Sequence, residues 1–393
     1  MKKLYGFFIV LSLLLLLLSG ITIRIEEYGF LSNIFFLVSG FILIILTFLY
    51  SRDLVMKVDT LIIVYFLFIL IGFISALKNQ DFYSFLSIVK LLFLYMFTIT
   101  LMFNNFKYIS INSVLFTFIA SFIIIIYFSL KDHPLNQRVS VYSGLFDNPN
   151  SMGVFAATLF SVSFVLILIN EKKVVRIFSL LMLVSGIYFI MISGSRTSFL
   201  TVCIVVLIWI VSYVITLIKE KRLRTRLLKW IFPSILIVLF CSILFFESEL
   251  FVDFQENIID KFDEKTGNIT SSRTSIWLYI INEAGLFGQG AHHLKQETGL
   301  SAHNSFLSII IEYGWLTGLF YILFWIVAIV KSYLFFLRSD SSKYSLLPII
   351  LISNYILLST MEVLTVHVSA ILAMFIVGYL TFAERNFIGK INI

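Results

Sequence analysis

Charge is what this chain has least of. Only 13% of its 393 residues are charged, against 60% hydrophobic, and the mean hydropathy is +1.02. That balance lies far outside the range of soluble domains and excludes a water-soluble globular enzyme. Cysteine is nearly missing as well: the two present, Cys203 and Cys241, both fall inside apolar runs. This excludes a disulfide framework or a cysteine metal site. The chain has no G-x-x-x-x-G-K-[ST] loop for a nucleoside triphosphate and no D-x-D pair for a metal. No A-x-A site follows the first run, MKKLYGFFIVLSLLLLLLSG, so despite its basic start and leucine core it is expected to be an uncleaved first helix. The two-residue alternation of a membrane strand is also missing, which leaves helices as the spanning elements.

What the chain does have is long apolar runs. A spanning helix needs roughly 20 such residues, and about twelve runs qualify, near 4–23, 28–50, 59–77, 83–103, 109–130, 151–170, 177–193, 197–218, 230–246, 303–330, 345–360 and 367–383. The chain therefore reads as an all-α polytopic membrane protein, a single integral membrane unit over residues 1–393. Basic residues set the expected orientation. With both termini cytoplasmic, the inner segments hold 19 of the 29 Lys and Arg, six of them in KEKRLRTRLLK at 219–229, and the outer segments hold 9. The net charge of +7 is then a topology signal. The run at 219–229 reads as an inner-face anchor for anionic lipid rather than a nucleic-acid patch. Lys90 falls within the fourth span, where it reads either as a functional group or as a lysine snorkelling to the outer boundary.

Two outer loops are long, 131–150 and 247–302, and loops of such length tend to be functional. The larger one precedes the tenth span and carries nine acids against four bases, a net of −5. An anion would bind there only through a particular arginine, and Arg273 is the only one in the loop. Within SSRTSIWLYIINEAGLF, Ile276, Tyr279 and Ile280 recur at helical spacing, which predicts an amphipathic helix on the membrane surface. GQGAHH reads as a flexible stretch. His292 and His293 are adjacent rather than at metal spacing and read as loop residues.

Arg196, in ISGSRTSF, stands at a tight outer turn where the charge rule disfavours it. It reads either as an arginine meeting lipid headgroups or as a guanidinium fork for phosphate. Asp147, Asn148 and Asn150 read as the cap and turn that start the sixth span. The stretch SAHNSFLSIIIEYGWLTG (301–318) opens the tenth span with a polar pair. On one continuous helix His303 and Gly314 would project about 20° apart, and GWLTG offers small-xxx-small spacing for a neighbouring helix. Glu312 would point away and pair with another helix in a structural role. His303 alone reads as a capping or interfacial histidine.

Four segments together say more. SGLFDNPNSMG (143–153), SGSRTS, SSRTSIW and HN followed by nine residues and GWLT resemble, in chain order, the motifs of the O-antigen ligase and polymerase superfamily. The likeness covers about residues 140–320. The resemblance implies a metal-independent glycosyltransferase with a GT-C-like fold and a large extracytoplasmic loop before the tenth helix, acting on the outer face of the bacterial cytoplasmic membrane. It implies an undecaprenyl-diphosphate-linked glycan as donor and no cofactor. By the same carry-over Arg196 and Arg273 bind the diphosphate and His303 orients or deprotonates the acceptor hydroxyl. Asn304, Asn150 and, outside the stretch of likeness, Lys90 are supporting candidates. The expected activity is polymerisation of lipid-linked repeat units into capsule, exopolysaccharide or O-antigen, with a lipid-linked glycan as acceptor, a chain-length regulator as a further partner and no nucleic acid. The alternatives are a ligase, acting on another lipid or protein acceptor, and a lipid-linked glycan flippase. A flippase should show internal repeats and mid-membrane polar groups, whereas here the polar groups cluster at the outer boundary.

Overall fold

The computed structural model describes residues 2–50, 59–101, 110–135, 141–219, 273–338 and 343–391. The predicted span at 230–246, Cys241, the basic run after Lys219 and loop residues 247–272 lie outside the described residues. Apolar runs become helices where they were expected: α1 (Lys2–Thr22), α2 (Gly29–Tyr50), α3 (Thr60–Lys78), α4 (Phe82–Tyr95, continued by a wider turn over Met96–Leu101), α5 (Ile111–Asp132), α6 (Pro149–Ile169), α7 (Lys173–Ser193) and α8 (Arg196–Lys219). Then follow α9 (Arg273–Glu283), α10 (His293–Thr298), α11 (Ser305–Tyr313), α12 (Trp315–Arg338), α13 (Leu346–Ser359) and α14 (Val368–Ile391). Among the described residues nine helices are long and apolar enough to cross a membrane, and Leu346–Ser359 and Val368–Ala383 are shorter apolar helices. The chain is thus an all-helical polytopic membrane protein.

The tenth predicted span departs from expectation. It is two helices, α11 and α12, divided at Gly314 (φ 90°, ψ 169°), a conformation essentially reserved for glycine. His303 and Gly314 therefore do not share a helix face: one precedes α11 and the other ends it.

Helix α6 is the hub. It is apolar on every side, as a helix enclosed by others must be, and 83% of its span is buried. It packs against α5, α7, α8, α13 and α14. A Cβ at Gly186 of α7 would lie 3.1 Å from the Ala156 carbonyl and Phe160 amide of α6, so glycine there lets the two backbones approach closely. Since lipid is as apolar as the helices, polar bonds supply part of the association. Ser12 Oγ of α1 donates to Ser39 O of α2 (2.9 Å), Ser161 Oγ of α6 to Asn354 Oδ1 of α13 (2.9 Å), and the Tyr321 and Tyr355 hydroxyls meet at 2.7 Å between α12 and α13.

The two ends of the bundle gather different loops. At one, Asp59 before α3 pairs with Lys331 of α12 (2.7 Å), and Asn112 meets Asn170 (3.2 Å). At the other, Arg24 after α1, Asp147 before α6, Arg273, His303 and Glu362 between α13 and α14 converge. The candidate site is at this second end.

Candidate active site

The start of α11 is fixed by side chains. Asn304 is its cap, accepting from the amides of Phe306 (2.9 Å) and Leu307 (3.0 Å), which satisfies two of the helix's orphan donors. Its Nδ2 donates to Thr360 O at 2.9 Å. Ser305 Oγ donates to Glu362 O (2.9 Å) and accepts from the Leu364 amide (2.8 Å). Asn304 and Ser305 thus join α11 to the segment 360–364.

That junction leaves His303 outside the helix in a left-handed conformation, φ 46°, which is uncommon for a residue with a Cβ. Its Nδ1 lies 3.5 Å from Glu362 Oε2, and Arg273 Nη2 lies 3.1 Å from Glu362 Oε1. Glu362 is enclosed, with only 11% of its side chain exposed, whereas 36% of His303 remains open. One carboxylate therefore bridges an imidazole and a guanidinium. His303 and Glu362 line a cavity of about 420 Å³ together with Arg24, Asp147, Ser308 and Glu312. Arg24 donates to Val363 O and lies 3.8 Å from Asp147 Oδ2.

The opposite border of the cavity is made by the stretch predicted to be flexible, and the structure corrects that reading. The Gln289 amide donates to Ile311 O (2.8 Å), the Gly290 amide to Glu312 O (3.1 Å) and the Trp315 amide to Gly285 O (3.1 Å). Residues 285–290 thus take up the backbone groups left open where α11 stops. The approach is so close that a Cβ at Gly314 would sit 2.2 Å from Leu286 O, and one at Gly288 2.5 Å from Glu312 O. Asp81 holds the far side, its Oδ2 accepting from the Ala291 amide (2.6 Å) and Ser84 Oγ (2.7 Å). Burial works against the Asp81 charge, but the bond from Ala291, with those from Ser84 and Tyr83, outweighs it and holds the carboxyl below its ordinary value.

Helix α9 forms as its spacing predicted, but its apolar face is not laid on a membrane surface. Ile276 and Ile280 pack with Ala284, Leu294, Ala302, Ile310 and Ile311, and Trp277 Nε1 donates to Ala302 O (2.9 Å). The apolar stripe is used to seat Arg273 beside Glu362. His292 lines the cavity and sets its ring edge-on to Tyr83 at 4.6 Å, while His293 Nε2 lies 3.3 Å from the Tyr279 hydroxyl.

Of the residues singled out in the sequence, His303, Asn304 and Arg273 come together. Arg196 is half-buried at the first turn of α8, after a left-handed Gly194, and does not line the cavity. Asn150 is in the first turn of α6. Its neighbours do the local work: Asn148 caps α6 by accepting from the Ser151 amide (2.9 Å), and Asp147 accepts from Ser151 Oγ (2.8 Å). Lys90 is elsewhere, donating to Asn33 Oδ1 of α2 at 2.7 Å beside a separate small cavity. The sequence reading missed Glu362 and gave Arg24 a place only in the charge count. Glu312, expected to have a purely structural pairing, lines the cavity with one carboxyl oxygen, Oε1, buried and unpartnered.

No curated protein matches the chain. A family comparison does: residues 181–322 match the family described as O-antigen ligase, a stretch that takes in Arg196, Arg273 and His303 and leaves out Arg24 and Glu362. Over those residues, then, the chain is similar to the O-antigen ligase family.

Proposed function

We propose that this protein polymerises undecaprenyl-diphosphate-linked oligosaccharide repeat units into a surface polysaccharide on the outer face of the cytoplasmic membrane. The observation that carries the reading is the sequence of contacts from His303 through Glu362 to Arg273 at the edge of the cavity. In the reaction, an acceptor hydroxyl gives its proton to His303 Nε2, and its oxygen pair forms the bond to the donor's anomeric carbon. The bond from that carbon to the diphosphate oxygen breaks, and its electron pair leaves with the lipid diphosphate. Glu362 faces the other ring nitrogen, so its charge orients the imidazole and favours the imidazolium that forms. Arg273 uses Nη2 on Glu362; a guanidinium has further N–H donors for the charge accumulating on the leaving diphosphate, and Arg196 is assigned the same task. The lipid diphosphate is already an activated leaving group, so no nucleoside triphosphate is needed. A single displacement inverts the anomeric centre. The matched family's description as O-antigen ligase favours ligation as the second reading, with the same atoms at work and a different glycolipid or a protein as acceptor.

Purified protein in nanodiscs, supplied with a lipid-diphosphate oligosaccharide, tests this by chain growth, and product on an unrelated acceptor would indicate a ligase instead. His303→Ala should lower turnover by about 10²–10⁴-fold, the usual contribution of a general base, with membrane abundance unchanged. Glu362→Gln, which keeps the shape and removes the charge, should show a smaller loss of roughly tenfold or more. Turnover of His303→Ala within about threefold of wild type would return this histidine to a packing role. Arg196→Lys and Arg273→Lys keep the charge but lose the fork; normal activity in both would refute the phosphate assignment.

A further inference from the structure

The wall that α11 gives to the cavity bears three polar groups in succession: His303 before the cap, Ser308, and Glu312 near the helix end. Ser308 and Glu312 are four residues apart, so they share a face with about 6 Å of rise between them. Glu312 has no task in the mechanism above. Asp81 nearby is engaged with the Ala291 amide and Ser84, whereas Glu312, which lines the cavity, has its Oε1 buried without a hydrogen-bond partner. Buried polar groups without partners are rare, and those in membrane proteins gather at functional sites. An acid at this end disfavours a diphosphate there. It suits donors that carry no charge, and sugar hydroxyls are such donors. The flanking Ile311, Leu300 and His292 ring offer apolar surface for the C–H faces of a sugar.

We propose that Ser308 and Glu312 form the acceptor-glycan subsite, binding hydroxyls of the acceptor chain so that it lies along α11 with its reacting end at His303. This rests on the reading that glycan is transferred in this cavity. The burial that leaves Oε1 without a partner also pushes the Glu312 carboxyl up to about 7, opposed by the polar groups of Tyr313 and Ser84 and reinforced by the Asp81 charge. The group can thus be ionised to accept from two hydroxyls, or protonated to donate to one.

The test uses intact protein in nanodiscs and, as probe, the repeat-unit oligosaccharide released by mild acid from the source cells' lipid-linked pool. Calorimetry measures its binding, and transfer assays give KM separately for acceptor and lipid donor. Glu312→Gln should weaken binding of the lipid-free oligosaccharide about tenfold or more, since hydrogen bonds to a charged group are the strong ones. It should raise the acceptor KM by a similar factor with little change in the donor KM. Ser308→Ala, on the same face, should weaken binding a few-fold and serves where a Glu312 variant fails to fold. Wild-type affinity in Glu312→Gln and Ser308→Ala, no binding to wild type, or a change confined to the donor KM would each overturn the proposal. If the oligosaccharide binds through Glu312 while His303→Ala and Glu362→Gln transfer normally, the subsite stands and the reading of the catalytic centre fails.

Discussion

The carboxylate that faces His303 belongs to Glu362, a residue that nothing local in the chain marks out. In STMEVLTVH it is a lone acid between two apolar runs, and its significance arises only when Asn304 and Ser305 tie the start of α11 to residues 360–364. The histidine itself was legible because its motif resembles a family, but its conformation was not. A left-handed φ of 46° costs of order 1–3 kcal/mol, and the Asn304 and Ser305 bonds hold it. Glu312 was misjudged because residue spacing on a single long helix placed it opposite His303. Its weakened acidity has a measurable sign. Below its ordinary value of 4.5 the carboxyl is protonated whether the chain is folded or not; between 4.5 and about 7 the unfolded chain releases a proton that the folded protein keeps. Stability present at low pH is therefore lost as pH rises toward 7. Melting temperatures in detergent should show Glu312→Gln gaining on wild type between pH 4.5 and 7 and keeping a constant lead above that. A difference independent of pH would mean that the carboxyl is not held protonated.

At the scale of elements, apolar run length read the helices well: the run expected at 197–218 is α8, Arg196–Lys219, and that expected at 177–193 ends with α7 at Ser193. Hydropathy measures only how much apolar chain is available, so it had no means of finding the break at Gly314. GWLTG fitted a packing motif, while the local conformation is set by residues 285–290, which supply hydrogen bonds from outside the helix. The same missing information made GQGAHH look flexible. Substitution distinguishes the two uses of glycine. Gly285 also has a positive φ, 58°, but nothing stands within 4 Å of its Cβ position, so Gly285→Ala should cost only about 1–2 kcal/mol. Gly314→Ala meets the Leu286 carbonyl at 2.2 Å and should cost roughly 1–3 kcal/mol more. It should also expose the amides of Gln289 and Gly290 to hydrogen exchange. Equal melting temperatures for the two variants would show that the 285–290 contact contributes nothing.

For the whole molecule, the two ends of the bundle make the orientation testable. Lys295 is exposed beside the cavity, and Lys172 is exposed at the opposite end, next to Asn170. If the charge bias sets the topology, an impermeant thiol reagent should label Lys295→Cys in intact cells, and Lys172→Cys only after permeabilisation, in a background lacking the native cysteines. The reverse pattern would invert the protein and place the cavity in the cytoplasm.

The span of the cavity's contacts also bears on how the protein is made. Arg24 reaches Val363 across 339 positions, and the segments bearing Asp147, Arg273, His303 and Glu362 come from four further places along the chain. Synthesis proceeds at about 5–20 residues per second, so Arg24 is made well before its partner exists. A nascent chain that has inserted its first helices, and even one that already displays His303, lacks the carboxylate that joins the base to Arg273. On the proposed mechanism, lipid-linked sugars in the same membrane would meet no working catalyst until α13 has been threaded and the 360–364 segment has docked, and a ribosome stalled earlier would leave behind an inert bundle rather than an unregulated transferase.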